Sequence, residues 1–473
     1  MLVMKFGGTS VGSAERISSV LDIVRANLDR RPVVVVSAMS GITDMLIESA
    51  RAAARGQDAI YRQNKAIMLK RHLEVVDTLL AKSVERIEVA GMIEDRLHEF
   101  ERLCRSIAVL GEVTPRGYDA VASLGEQLSA RLVAAALSAQ GTRARAISAT
   151  QLIVTDSHFG GARPLMDKTC QRIRDIIPPL VERGIVPVIT GYLGATEEGV
   201  TTVLGRGGSD YTAAIVGACL PAEEVQIWTD VNGILTADPN IVPGAHTLNE
   251  LTYEEAEELA YYGADVLHPK TVRPVHEAGI PLRILNSFKP NDPGTLILKT
   301  PSPNRKAAPA IISTKGLSLI GIVGNGGDWG PQIAARALQG LDDAAVEVLM
   351  FIQPLSERSL NLVVRRRDQK HCLGALEDVL ATDLKLGNVS QIAVRGEVAT
   401  ISVVGRPSDN PETVVPRAFA AIGRHGTRVI TVAQSNFEYN ISFVVPESGV
   451  DEAVRFIHTE LGLDEPAQNG AKI

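Results

Sequence analysis

The chain is poor in the residues that build anything other than a packed globular core. Only four cysteines occur in 473 residues, at Cys104, Cys170, Cys219 and Cys372, far apart and with neither a CxxC step nor a Cys/His cluster of metal-ligand spacing. No metal bound by a side-chain cluster is expected, and a reduced, cytoplasmic setting is. No run of about 18 apolar residues occurs, and no basic segment followed by a long apolar one opens the chain, so neither membrane insertion nor secretion is expected. Positive charge is not in excess either. The 48 Lys and Arg against 55 Asp and Glu leave a net charge of −7, which argues against nucleic acid as a partner. Aromatic residues are only 4 % of the chain, and the nine histidines are scattered. For His268, in VLHPK, we expect a packed or capping role rather than a metal or catalytic one.

What is present is length for two to four domains and a composition, 45 % hydrophobic and 22 % charged, typical of α/β proteins. Two glycine-rich, hydroxyl-rich segments stand out: KFGGTSVG (5–12) and GRGGSDY (205–211). Leu2, Val3 and Met4 read as a strand leading into the first. Ile17, Val20, Leu21, Val24 and Leu28 then recur with helical spacing. A glycine loop between strand and helix lets backbone N–H groups approach an anion, and a lysine adds a full charge. The order differs from a P-loop, since Lys5 precedes Gly7 and Gly8, and no GxGxxG is present. Taken alone, the segment fits equally a tight turn with Ser13 as N-cap.

The run PVVVVSA (32–38) reads as a buried strand, and strands then alternate with helices. A long helical region covers roughly 60–110, followed by a helix over 123–140, a strand near 144–148, a helix near 167–183, and strands at 186–190, 201–204 and 225–230. This rhythm predicts a mainly parallel sheet between helices, with both glycine loops at its carboxyl edge, where such sheets bind ligands. TPSPNRKAAPA (300–310) reads as a linker. Beyond it, GLSLIGIVG (316–324) resembles VATISVVG (398–405), and FIQPLSERSLNLVV (351–364) resembles VAQSNFEYNISFVV (432–445). The step from Gly324 to Gln353 is 29 residues, as is that from Gly405 to Gln434, and Arg336 and Arg417 each lie twelve past their glycine. An internal repeat with an offset of 81 residues follows, each copy a small α+β unit.

In the second loop Arg206 adds charge and Asp210 stands at a helix start, where it can cap, orient Lys5 or reach a phosphate-bound Mg²⁺. Ser123-Leu-Gly-Glu126 has the form of a capping box ahead of Leu128, Leu132 and Val133. The Asn-Gly step in WTDVNGILTADP (228–239) suggests a hairpin, or a loop that wraps a base or ribose.

Together these segments, with VVVVSAMSGITD (33–44), TDSHFGGA (155–162), YEEAEELAYYGADVLHPKT (253–271) and PGTLI (293–297), resemble the aspartate kinases of the amino acid kinase superfamily. The repeat resembles that family's paired ACT domains. The resemblance implies an amino acid kinase fold over 1–300 and two ferredoxin-like ACT domains over 311–386 and 391–473. It implies transfer of the ATP γ-phosphoryl group, with Mg²⁺, to the β-carboxylate of L-aspartate, the first step towards lysine, threonine and methionine. By position, Lys5, Arg206 and Asp210 would be catalytic. Thr43, Glu126, Arg206 and Ser209 would hold aspartate. Lys5, Gly7, Gly8, Ser10, Thr229, Asp230, Leu235, Asn240 and Lys270 would border the nucleotide. Asn325, Gln353, Glu357, Gln434 and Glu438 would face an amino-acid effector, lysine or threonine, and a homodimer or larger assembly through the ACT domains is expected.

The chain departs from the family where a lysine is frequent (Asp265), where an arginine often follows TADP (Asn240), and where a tyrosine is common (Leu235). ATP would then be held more weakly, or by Lys270 instead. Two alternatives follow: an amino-acid sensor of weak activity, or a sister acyl-phosphate or carbamate kinase.

Overall fold

The computed structural model describes residues 1–261, 267–300, 302, 305, 308–325, 330–353, 358–405, 414–434 and 440–464. Its strands are β1 (Leu2–Phe6), β2 (Pro32–Val36), β3 (Ala144–Ile147), β4 (Val186–Thr190), β5 (Leu193–Ala195), β6 (Thr201–Val203), β7 (Glu224–Thr229), β8 (Glu250–Thr252), β9 (Leu282–Asn286), β10 (Thr295–Leu298), β11 (Ala310–Gly324), β12 (Val348–Ile352), β13 (Ser359–Arg365), β14 (Val389–Val404), β15 (Thr431–Gln434) and β16 (Asn440–Pro446). Two compact units result: residues 1–234 with 247–303, and residues 235–246 with 304–473.

The first unit is built on an eight-stranded sheet ordered β3-β4-β2-β1-β7-β9-β10-β8. The six strands from β3 to β9 run parallel, and β10 reverses against β9. Because β1 and β2 are covered on both faces, every residue of each is buried, so β2 reads as an unbroken apolar run and β1 as one interrupted only by Lys5. The helix Ala14–Arg25 starts where Ser13 Oγ accepts the Arg16 amide, and it buries Ile17, Val20, Leu21 and Val24. The long helical region is two helices, Asp58–Leu79 and Arg86–Leu110, with a further short one at Pro115–Ala122. Contrary to expectation, the second glycine loop does not follow a strand of the main sheet. Its strand β6 pairs with β5 in a separate antiparallel ribbon. Sequence distance also misleads for two cysteines: Cys170 and Cys219 are joined by a disulfide, while Cys104 and Cys372 are free and buried. Among the described residues no helix is long and apolar enough to cross a membrane.

The second unit carries a six-stranded antiparallel sheet, β12-β13-β11-β14-β16-β15. The repeat is visible in it: β13 and β16 start 81 residues apart, as do the helices Gln369–Val379 and Val450–Glu460. Arg336 and Arg417 each reach out from the first helix of their copy, the former to the Asp383 carboxylate and the latter to the Glu460 backbone carbonyl. The halves share strands. β11 pairs with β14 along nearly its whole length, from Ala310 opposite Val404 to Gly324 opposite Val389. Residues 235–246 belong here as well: Ala237, Ile241 and Val242 pack with Ile401, Val403, Phe443 and Ile457. The Asn-Gly step thus opens no hairpin, because its far side is held in another core.

Candidate active site

The carboxyl ends of β1, β2 and β4 and the second glycine loop surround a cleft of about 610 Å³ lined by Lys5, Gly8, Thr43, Asp44, Glu126, Tyr192, Arg206, Ser209 and Asp210, among others. Lys5 is the penultimate residue of β1, between β2 and β7, opposite Val35 and Ile227. Its Nζ lies 2.5 Å from Asp210 Oδ1, and both side chains are largely buried. Asp210 sits in the first turn of the helix Gly208–Cys219. This pairing is the contact that orientation of Lys5, one of the three roles open to Asp210 in the sequence, requires.

Two glycines are needed for this closeness. A Cβ at Gly8 would lie 2.9 Å from the Ala38 carbonyl oxygen. Gly207, the N-cap of the Asp210 helix, has φ +70°, and a Cβ there would come within 2.5 Å of His268 Cβ. His268 itself caps the helix Pro269–Ala278, accepting the Lys270 amide at Nδ1, in line with its expected capping role.

Glu126 does not complete a capping box. Ser123 has helical φ and ψ, because the preceding helix runs directly into Leu124–Ala139, and its Oγ donates back to the Ala120 carbonyl. Glu126 therefore faces the cleft. The residue is 3 % exposed, Oε2 has no hydrogen-bond partner among the described residues, and burial pushes the carboxyl up to about 8 against the lesser stabilisation from backbone at Ala38. A carboxylate so placed is poised for a cationic ligand.

The nucleotide candidates are less gathered. Ser10, Thr229 and Asp230 lie in the first unit, where Gly7 N donates to the Trp228 carbonyl and so ties the first loop to β7. Lys270 is exposed. Leu235 and Asn240 belong to the second unit, where the Asn240 amide group turns inward to Asp238. Asp265, Glu357 and Glu438 lie outside the described residues. Asn325, Gln353 and Gln434 are exposed, but β12 and β15 are opposite edges of the sheet, so Gln353 and Gln434 do not meet within one chain.

Sequence reasoning missed Asp119. Its buried carboxylate accepts the amides of Gly160 and Val203 and is held above its ordinary value by burial. It thereby fixes the 155–162 loop at the mouth of the cleft. Tyr192 was also missed; it holds φ +70°, and its amide donates to Thr212 Oγ1. Neither carries a local motif.

Residues 1–286 match the amino acid kinase family, and residues 401–461 match an ACT domain. Aspartokinase 2, chloroplastic, of Arabidopsis thaliana is 30 % identical over 475 residues, covering 98 % of this chain and 85 % of that protein. The crystal structure of E. coli aspartokinase III with aspartate and ADP has a TM-score of 0.81 at 26 % identity, covering 98 % of this chain and 100 % of that one. The same enzyme with lysine and aspartate gives 0.76 at 26 % identity, covering 98 % and 99 %. The chain belongs to the amino acid kinase family and, within it, to the aspartokinases, ATP-dependent phosphotransferases with C-terminal ACT domains.

Proposed function

We propose that this cleft aligns L-aspartate with Mg-ATP and passes the γ-phosphoryl group to the side-chain carboxylate, giving 4-phospho-L-aspartate for lysine, threonine and methionine synthesis. The observation that carries the reading is the buried, partnerless Glu126 oxygen in the same cleft as the Lys5–Asp210 pair and Arg206. Glu126 receives the substrate ammonium, Arg206 forks onto a carboxylate, and Thr43 and Ser209 border the amino acid. Lys5, held by Asp210, offsets charge on the transferring group, with the amides around Gly7 and Gly8 beside it. A carboxylate of pKa about 4 is already ionised at neutral pH, so the acceptor needs no general base. The protein supplies alignment and charge neutralisation.

Among the described residues no three His, Cys, Asp or Glu groups converge as a metal site, and Asp210 is committed to Lys5. Mg²⁺ therefore fits as an ion carried by phosphate oxygens, where it would spread their charge. Thr229, Asp230 and Lys270 border the nucleotide. The E. coli relative's complex with lysine supports an amino-acid effector, lysine or threonine, at the ACT repeat. The open edges β12 and β15 suit assembly into a homodimer or larger. We place the protein in the cytoplasm. The test is hydroxylamine trapping of acyl phosphate with Mg-ATP and a panel of amino acids. Hydroxamate with aspartate alone is expected; none with any acceptor would make the chain a sensor, and product with another acid a sister kinase.

A further inference from the structure

Ser10 and Ser287, 277 residues apart, place their hydroxyl oxygens 2.8 Å from each other, with the residues 1 % and 2 % exposed. Ser287 Oγ also lies 3.0 Å from the Thr229 carbonyl oxygen. A serine hydroxyl has one proton, and a carbonyl can only accept. The Ser287 proton therefore goes to Thr229, and the Ser10 proton must go to Ser287. The direction of the chain is fixed: Ser10 O–H to Ser287 Oγ, Ser287 O–H to Thr229 C=O. The proton of Ser10 is consumed inside the protein, so its hydroxyl is an anchor and not a phosphate donor.

The surrounding contacts extend the anchor. Ser287 N also donates to the Thr229 carbonyl, at 2.8 Å. Asn286 Nδ2 donates to the Asp230 carbonyl at 3.3 Å and to Asn232 Oδ1 at 2.6 Å, while its Oδ1 accepts the Phe288 amide. The Phe288 ring lies 3.5 Å from the Arg16 guanidinium, on the helix that leaves the first glycine loop. The turn after β9 thus grips the glycine loop on one side and residues 229–232 on the other.

We infer that Ser287 is a positioning residue for phosphoryl transfer, holding the loop of Lys5, Gly7 and Gly8 in register with the rim at Thr229 and Asp230. The inference rests on the reading that this loop takes nucleotide phosphate. The experiment is a double-mutant cycle in the full chain, S10A, S287A and both together, with S287T as the conservative variant. ADP affinity by titration calorimetry and the KM values for Mg-ATP and aspartate are read. S287A is expected to weaken ADP and raise KM for Mg-ATP by about 3- to 10-fold, the scale of one net hydrogen bond. KM for aspartate stays within about twofold, S287T retains nucleotide affinity, and the double variant is no worse than S287A, since both break one chain. Unchanged ADP affinity in S287A, independent multiplication of the single effects, or an equal rise in aspartate KM would overturn it. If S287A does not fold, S10A is read against the same expectations. Failure of the parent protein to bind ADP would instead remove the nucleotide reading itself.

Discussion

In the proposed arrangement the phosphate-side Lys5 already meets its counter-charge at 2.5 Å, whereas the acceptor-side Glu126 is buried with one oxygen unpartnered among the described residues. A charge neutralised in advance keeps its geometry, so its worth appears in the transition state as rate. A charge left incomplete costs stability until a ligand arrives, so its worth appears as affinity and as sensitivity to pH. Rate and acceptor affinity should therefore separate.

Lys5→Ala is the largest test: kcat should fall about 1,000-fold, the scale of removing an electrostatic donor from a phosphoryl-transfer site, with little change in KM for aspartate. A comparable shift in both constants by steady-state kinetics would erase the division. Glu126→Gln should raise KM for aspartate about 100-fold through loss of a buried charge partner. Its thermal midpoint should be unchanged or higher, because the desolvated carboxyl is gone; a large drop in differential scanning calorimetry would make Glu126 a structural residue.

The pH response is no larger than the effect of Glu126→Gln and is the most specific. An ammonium ligand selects ionised Glu126, whose carboxyl burial pushes up to about 8. Aspartate affinity should then rise by up to about tenfold per pH unit between pH 6 and 8 and level off above, with up to about one proton released on binding. Stability runs the other way. The folded state keeps a proton that the unfolded chain gives up above 4.5, so this group's contribution to stability falls as pH rises from 4.5 to about 8. Glu126→Gln should flatten both trends, checked by calorimetry in buffers of different ionisation enthalpy.

Much of this was readable in the sequence because it is written locally. The β1 loop shows itself in adjacent glycines and a lysine, the buried strands in apolar runs, and the two regulatory copies in a constant offset. The roles of Ser123, Asp119, Ser287 and the Cys170–Cys219 pair were not readable, since each depends on a partner or a helix junction that only tertiary packing creates. A capping box requires Ser123 to leave the helical region, and the junction of two helices forbids that. Likewise an Asn-Gly step forms a hairpin only if the chain beyond it returns to the same sheet. Here it passes into other packing.

That detour makes the linker at 300–310 a misleading place to divide the protein. Cleaved there, the amino-terminal fragment would carry away Ala237, Ile241 and Val242, three side chains that fill the interior of the other unit. It would also remove the Thr236 hydroxyl that meets the buried His458 at 3.0 Å. One fragment would be left with an unmatched apolar tongue and the other with a hole. A protease or a gene fusion that respects only the linker would cut the second unit off from a strip of its own interior.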